Sequence, residues 1–254
     1  MNSSTSNLEN EAARITHDYF RSSLEALHNG AIPLAERMSI SHGKTPLTRA
    51  RLDDLVAPLA LRTLELPDAP VYGAGFIAAI DLLADARSHL AWWQGDDRRQ
   101  LVLSSQEINK EHIDYSELEW FRVPMATGEP HVAGPYVDYL CSDEYTMTVA
   151  VPTTVDGRRV GVFGLDLLVA VVERELTPRF ASVGAQVTLV NGMGRVVVST
   201  DPAAQQGIRC AAVGWQTFLG HRATGSHSKS SSKRSSQALE VAPDLFKLKR
   251  PTEE

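Results

Sequence analysis

The chain has 254 residues, 43% of them hydrophobic and 22% charged, which suits a folded globular protein and excludes both a disordered chain and a membrane-embedded one. Its net charge of −6 disfavours a global pull toward nucleic acid or anionic lipid, but the balance is uneven: residues 1–220 carry −9 and residues 221–254 carry +3. Two isolated thiols, Cys141 and Cys210, exclude a disulfide scaffold and a Cys-rich zinc site, and the absence of an apolar leader or a spanning-length apolar run gives the expectation of a soluble, cytoplasmic protein with no membrane span.

In chain order, Leu8, Ala12, Ile15, Tyr19, Ala26 and Leu27 recur at helical spacing and predict an amphipathic helix from Leu8 to about Asn29, stopped at Asn29-Gly30. A second helix is predicted from about Thr48 to Leu64, broken or kinked at Pro58. After Pro67 the pattern turns to strands. Val71–Ile80 and the aromatic-rich His89–Gln94 read as strands, with Gln100–Asn109 a weaker third. Ser116–Val123 reads as a short helix, with Ser116 as N-cap and Glu119 in the capping-box position. Val132–Leu140 and Tyr145–Thr154 are predicted strands, and Asp156-Gly157 is a hairpin turn leading into the strand Arg159–Leu167. Leu168–Leu176 reads as a short helix stopped by Pro178. Gln186–Val190 and Arg195–Ser199 form a last hairpin about Gly192-Met193-Gly194. From Arg222 onward the Ser/Lys-rich chain cannot build a core and is expected to be disordered.

Sequence motifs for catalysis are missing: there is no GxSxG, HExxH, P-loop or kinase set. The eight His residues are scattered, with His17 and His28 eleven apart on one helix, so neither a metal nor a cofactor is expected. The informative stretch is Tyr115–Leu167. It concentrates Trp120, Phe121, Tyr136, Asp138, Tyr139, Asp143, Tyr145 and Asp166. Rings give flat apolar walls that can also engage a cation, and carboxylates fix an ammonium or hydroxyl group. On composition alone, a pocket and a plain core of strand aromatics with surface acids both stay open. In Arg159–Leu167, alternation sends Val160, Val162, Gly164 and Asp166 to one face, so Asp166 is expected to point inward with the valines.

Four runs carry a family resemblance: Leu118-Glu119-Trp120-Phe121; Gly134-Pro135-Tyr136-Val137-Asp138; the strand Tyr145–Pro152; and Asp156–Leu167 with its Gly-Val-Phe-Gly-Leu-Asp close. In this order they resemble a Cache domain, a PAS-like small-molecule sensor, over about residues 65–178. The resemblance implies ligand binding on one face of an antiparallel sheet, under a short helix. Trp120 and Phe121 would wall the pocket, Tyr136 would stack or hydrogen-bond, and Asp166 would hold a ligand amine or hydroxyl, with Asp138 beside it. In amino-acid-binding members an Arg two residues before the Trp clamps the ligand carboxylate; that position here is Leu118. A homodimer through the first helix is the pairing the resemblance implies.

The resulting expectation is an α+β fold. N-terminal helices (1–64) pack on a PAS-like central antiparallel sheet (65–178), followed by a β-hairpin or partial second module (179–221) and the disordered tail (222–254). The expected function is small-molecule sensing in signal transduction without a catalytic step. Its partners would be an amine, carboxylate or similar metabolite and a signalling protein, with no nucleic acid. Two alternatives stand beside it: an enzyme using Asp138, Asp143 and Asp166 for acid–base chemistry, and a nucleic-acid accessory factor acting through the basic tail.

Overall fold

The computed structural model describes residues 2–41, 46–101, 115–139, 144–192, 194–202, 215–216 and 246–249. Helix α1 (Asn2–Ser41) is followed by α2 (Arg49–Leu64), whose N-cap Thr48 accepts a bond from the Arg51 amide. Strands β1 (Val71–Ala78), β2 (Leu90–Gln94) and β3 (Arg99–Gln100) follow. A 3₁₀ turn (Tyr115–Glu117) leads into α3 (Glu119–Thr127). Then come β4 (His131–Val137), β5 (Tyr145–Val155), β6 (Arg158–Leu168) and α4 (Val169–Ala181). These six strands form one antiparallel sheet in the order β3-β2-β1-β6-β5-β4. The fold is the α+β, PAS-like arrangement expected from the sequence.

The sheet has two apolar faces, and strand alternation assigns each side chain to one of them. Ala74, Phe76, Ala91, Trp93, Val149, Phe163, Leu165 and Leu167 belong to the larger core, which α1 and α2 cover. Ile77, Leu90, Trp92, Ala133, Ala150 and Val162 belong to a smaller cluster closed by Tyr115, Trp120 and Phe121. The candidate site lies on this second face. Strands β5 and β6 are joined at Asp156-Gly157, both with positive φ (48° and 79°), the tight hairpin turn the dipeptide predicted.

Several boundaries differ from the sequence reading, for physical reasons. Helix α1 runs through Asn29, Gly30 and Pro33 to Ser41. The apolar period continues past the presumed stop, with Ala31, Leu34 and Met38 buried. Gly30 is a contact rather than a stop: a Cβ there would stand 2.6 Å from the Phe163 ring. The carbonyl that Pro33 leaves without its helical partner belongs to the exposed Asn29, where water can serve it. In the same way α4 passes Pro178 because Phe180, fully buried, anchors its last turn, and α2 passes Pro58. Ser116 is not an N-cap; it lies in the 3₁₀ turn, and α3 begins behind Leu118 with no side-chain cap. Val160 does not share a face with Val162. The β5–β6 register passes from Thr153↔Gly161 to Thr154↔Arg159, and this bulge turns Val160 into the larger core.

The last hairpin is present as β7 (Thr188–Asn191) and β8 (Val196–Ser199). It belongs to a four-stranded sheet, in the order β8-β7-β10-β9, with β9 (Trp215–Gln216) and β10 (Phe246–Lys249). Residues 246–249 therefore hold a strand position inside the stretch read as disordered, and most of that stretch lies outside the described residues, as do 102–109 of the third predicted strand. Among the described residues no helix is long and apolar enough to cross a membrane.

Candidate ligand-binding site

The site begins with glycines. Gly73 and Gly75 on β1 and Gly164 on β6 face the smaller cluster. Gly73 and Gly164 clear space for the Trp92 indole: a Cβ on Gly73 would come within 2.7 Å of Trp92 Nε1, and one on Gly164 would touch Cζ3 at 3.8 Å, while one on Gly75 would meet the Ala91 carbonyl oxygen of β2. Trp92 is 3% exposed, and its Nε1 is buried with no hydrogen-bond partner among the described residues. A buried N–H without an acceptor costs on the order of 1–3 kcal/mol.

Across the glycine floor stands a polar relay. Tyr136 on β4 donates its hydroxyl to Thr148 Oγ1 on β5. Thr148 donates in turn to Asp166 Oδ1 on β6 at 2.6 Å. Asp166 is 4% exposed. Burial pushes its carboxyl up to about 8; neighbouring Asp138 adds to the rise, and the Thr148 hydroxyl only partly offsets it. At neutral pH, Asp166 is therefore mostly a neutral acid. Asp138, also buried, follows β4, and its amide donates to the Glu144 carbonyl at 2.9 Å. Tyr72 on β1 has its phenol raised as well, first by burial and then by the carboxylates around it, Glu144, Asp96, Asp138 and Asp166.

The cover is α3. Trp120 and Tyr115 stack at 6.2 Å. Tyr115 donates its hydroxyl to the Ala78 carbonyl at 2.7 Å and accepts from the His89 amide at 3.0 Å. This fastens the 3₁₀ turn to the ends of β1 and β2. Glu119 closes no capping box; it pairs with His131 on β4 at 3.0 Å and ties the start of α3 to the sheet.

Ile77, Leu90, Trp92, Trp120, Tyr136, Asp138, Thr148 and Asp166 enclose a cavity of about 20 Å³. Four of the five predicted site residues, Trp120, Tyr136, Asp138 and Asp166, come together there. Phe121 does not line it. It packs behind Trp120, edge-on at 6.2 Å, and against Tyr115 at 5.3 Å, because consecutive helical residues point about 100° apart. Tyr139 is 76% exposed, and Tyr145 packs on the larger core; Asp143 lies outside the described residues. The sequence reading missed Trp92 and Thr148. Alternation in Thr146-Met147-Thr148 does mark a polar face within an apolar strand, but nothing local separates Trp92 from Trp93. Among the described residues no group of three or more His, Cys, Asp or Glu side chains could hold a metal ion.

The sheet is PAS-like and carries a small aromatic and acidic cavity under one short helix. Residues 77–172 match the family model described as methyl-accepting chemotaxis protein-like, first PDC sensor domain. This match agrees with the resemblance carried by the four sequence runs. Among solved structures, the chain is similar to the sensory domain of the Campylobacter jejuni chemoreceptor Tlp3 (CcmL). The identity is 15%, with 79% of this chain and 76% of that chain covered and a TM-score of 0.51. The ligand-binding domain of the same chemoreceptor in complex with L-valine is similar at 15% identity, 77% and 72% coverage and a TM-score of 0.50. At this identity the likeness is one of fold. No curated protein matches the chain by sequence.

Proposed function

We propose that this chain is a small-molecule sensor in signal transduction that holds its ligand between α3 and the sheet and leaves it chemically unchanged. Trp92 and Trp120 are the walls, Tyr136, Asp138, Thr148 and Asp166 the polar contacts, and Phe121 the support behind Trp120. The observation that carries this reading is Asp166. A carboxyl buried in the β-sheet, facing a cavity and raised far above its usual range, is costly to keep. A ligand amine or hydroxyl group gives it a purpose. The Tlp3 ligand-binding domain in complex with L-valine supports a metabolite of similar size.

The cavity of about 20 Å³ is the size of a water molecule, whereas pockets for drug-sized ligands run to about 300–1,000 Å³. A metabolite must therefore lift Trp120 and α3 from the sheet. That displacement is the signal: a ligand favours the open arrangement by its differential affinity for it. The change would pass to a signalling protein or across a homodimer formed through α1.

A thermal-shift screen of amines, carboxylates, purines and sugars tests the reading, with mass analysis of each hit. A ligand at about a hundred times its Kd adds about 2.7 kcal/mol, a rise of roughly 5–10 °C for a chain of this size. A sensor returns its ligand intact. Consumption of the hit would show acid–base catalysis by Asp138 and Asp166 instead, and a screen without hits would remove the sensor reading.

A further inference from the structure

The ligand must do more than satisfy an acid. Trp92 also lines the cavity, and its buried Nε1, which lies over Gly73, is a donor with no hydrogen-bond partner among the described residues. Gly73 is the register partner of Asp166, and neighbouring strands lie about 4.8 Å apart. The free N–H and the Asp166 carboxyl thus stand over adjacent positions of the floor. A ligand that serves both presents an acceptor to one and a donor to the other, with only a short covalent link between them. Among the described residues the cavity lining contains two acids, Asp138 and Asp166, and no Lys, Arg or His. An anionic acceptor would be brought beside these two carboxyls with no cation among the described lining residues to offset it; a neutral acceptor is not penalised in this way.

Resting on the sensor reading above, we propose that the pocket takes an amine with a neutral oxygen three bonds from its nitrogen, an amino amide or amino alcohol, in preference to a free amino acid. The ammonium meets Asp166 with Asp138 nearby, and the oxygen accepts from Trp92 Nε1. The alkyl part of the ligand lies against Trp120, Ile77 and Leu90.

Calorimetry on the full chain near neutral pH tests this with four probes that share the isobutylamine unit: L-valinamide, L-valinol, L-valine and isobutylamine itself, which lacks the oxygen-bearing carbon. L-valinamide and L-valinol are expected to bind roughly tenfold or more tighter than L-valine. Trp92→Phe keeps an aromatic wall and removes the N–H. It is expected to weaken L-valinamide about fivefold or more, the loss of one hydrogen bond, and to leave isobutylamine, which has no acceptor, within about twofold. Because isobutylamine also reports whether the variant still folds and binds, the comparison survives some loss of stability. Equal or tighter binding of L-valine would overturn the ligand class while leaving the sensor reading intact. Equal weakening of isobutylamine by Trp92→Phe would overturn the role of the N–H. Failure of all four probes to bind would also overturn the class, and the wider screen would then decide the sensor reading separately.

Discussion

Replacing Asp166 by Asn is expected to stabilise the protein and to weaken ligand binding. Asn keeps the size of the side chain and the oxygen that accepts from Thr148, and removes only the titration. In the unfolded chain the carboxyl titrates near its ordinary 3.8; in the folded protein, burial moves it to about 8. Between those values the folded state holds a proton that the unfolded state has released. Wild-type stability from this group is therefore complete below about pH 4 and falls as pH rises, by about 1.4 kcal/mol per unit, until it levels off above about pH 8. From about pH 5 to pH 8 the accumulated loss is roughly 4 kcal/mol, a large part of the 5–15 kcal/mol that holds a typical domain together.

The Asn variant lacks this slope. Urea denaturation of both proteins at intervals across that range should give two curves that diverge steadily, with the variant ahead at the alkaline end. Other titrating groups act on both proteins and cancel in the difference. Parallel curves would refute the argument, as they would mean that Asp166 is not desolvated. A wild type that gained on the variant with rising pH would refute it more strongly, because it would reveal an ionised Asp166 paired with a cation. In the same variant, affinity for an amine such as L-valinamide should fall by about tenfold or more, roughly 1.4 kcal/mol. Stability gained with binding lost is the signature of an acid kept for its ligand.

Other consequences can be measured on the same protein. Because ligand-free Asp166 is mostly neutral below about pH 8, uptake of an ammonium ion should release close to one proton; calorimetry in two buffers of different ionisation enthalpy reads this, and Asp166→Asn should abolish it. Tyr115→Phe removes the hydroxyl that bridges Ala78 and His89 and should cost about 1–3 kcal/mol in denaturant unfolding; an unchanged midpoint would mean that α3 is held by its apolar contacts alone. Gly30→Ala drives a methyl group into the Phe163 ring and should cost about 1–3 kcal/mol, although in an exposed helix the same change would stabilise.

What the sequence could and could not disclose follows from the range over which each feature is decided. The closing strand was readable because alternation is local: Val162, Gly164 and Asp166 do share a face. Val160 broke the pattern because a bulge against β5 is a property of two strands. The helix ends were misread for a related reason. Gly30, Pro33 and Pro178 each weaken a helix by about 1–3 kcal/mol on intrinsic preference, but Leu34, Met38 and Phe180 are buried beyond them, and packing outweighs preference. Two acids, Asp138 and Asp166, and two aromatic residues, Trp120 and Tyr136, of the four runs were legible as a candidate site, with Phe121 misplaced because adjacent helical residues cannot both face the cavity.

Trp92 was the principal omission, and its role depends on three residues that carry no side chain. In Leu90-Ala91-Trp92-Trp93 the alternation separates the two indoles but does not say which face is the pocket. Gly73, Gly75 and Gly164 decide that, and they come from two strands about ninety residues apart. Each glycine alone reads as a weak point in a strand. Gly73 and Gly164 leave room for the indole, and Gly75 for the close approach of the Ala91 and Trp92 backbone, so that the Trp92 N–H lies over the partner of Asp166. The donor and the acid are thus set at neighbouring positions by the sheet register, before any ligand arrives. Rigid strands hold the recognition groups while α3, fixed to the sheet through Tyr115 and the Glu119–His131 pair, is the part that can lift. A sensor needs that division: a fixed floor gives selectivity, and a cover held by a few polar contacts can respond without unfolding the core.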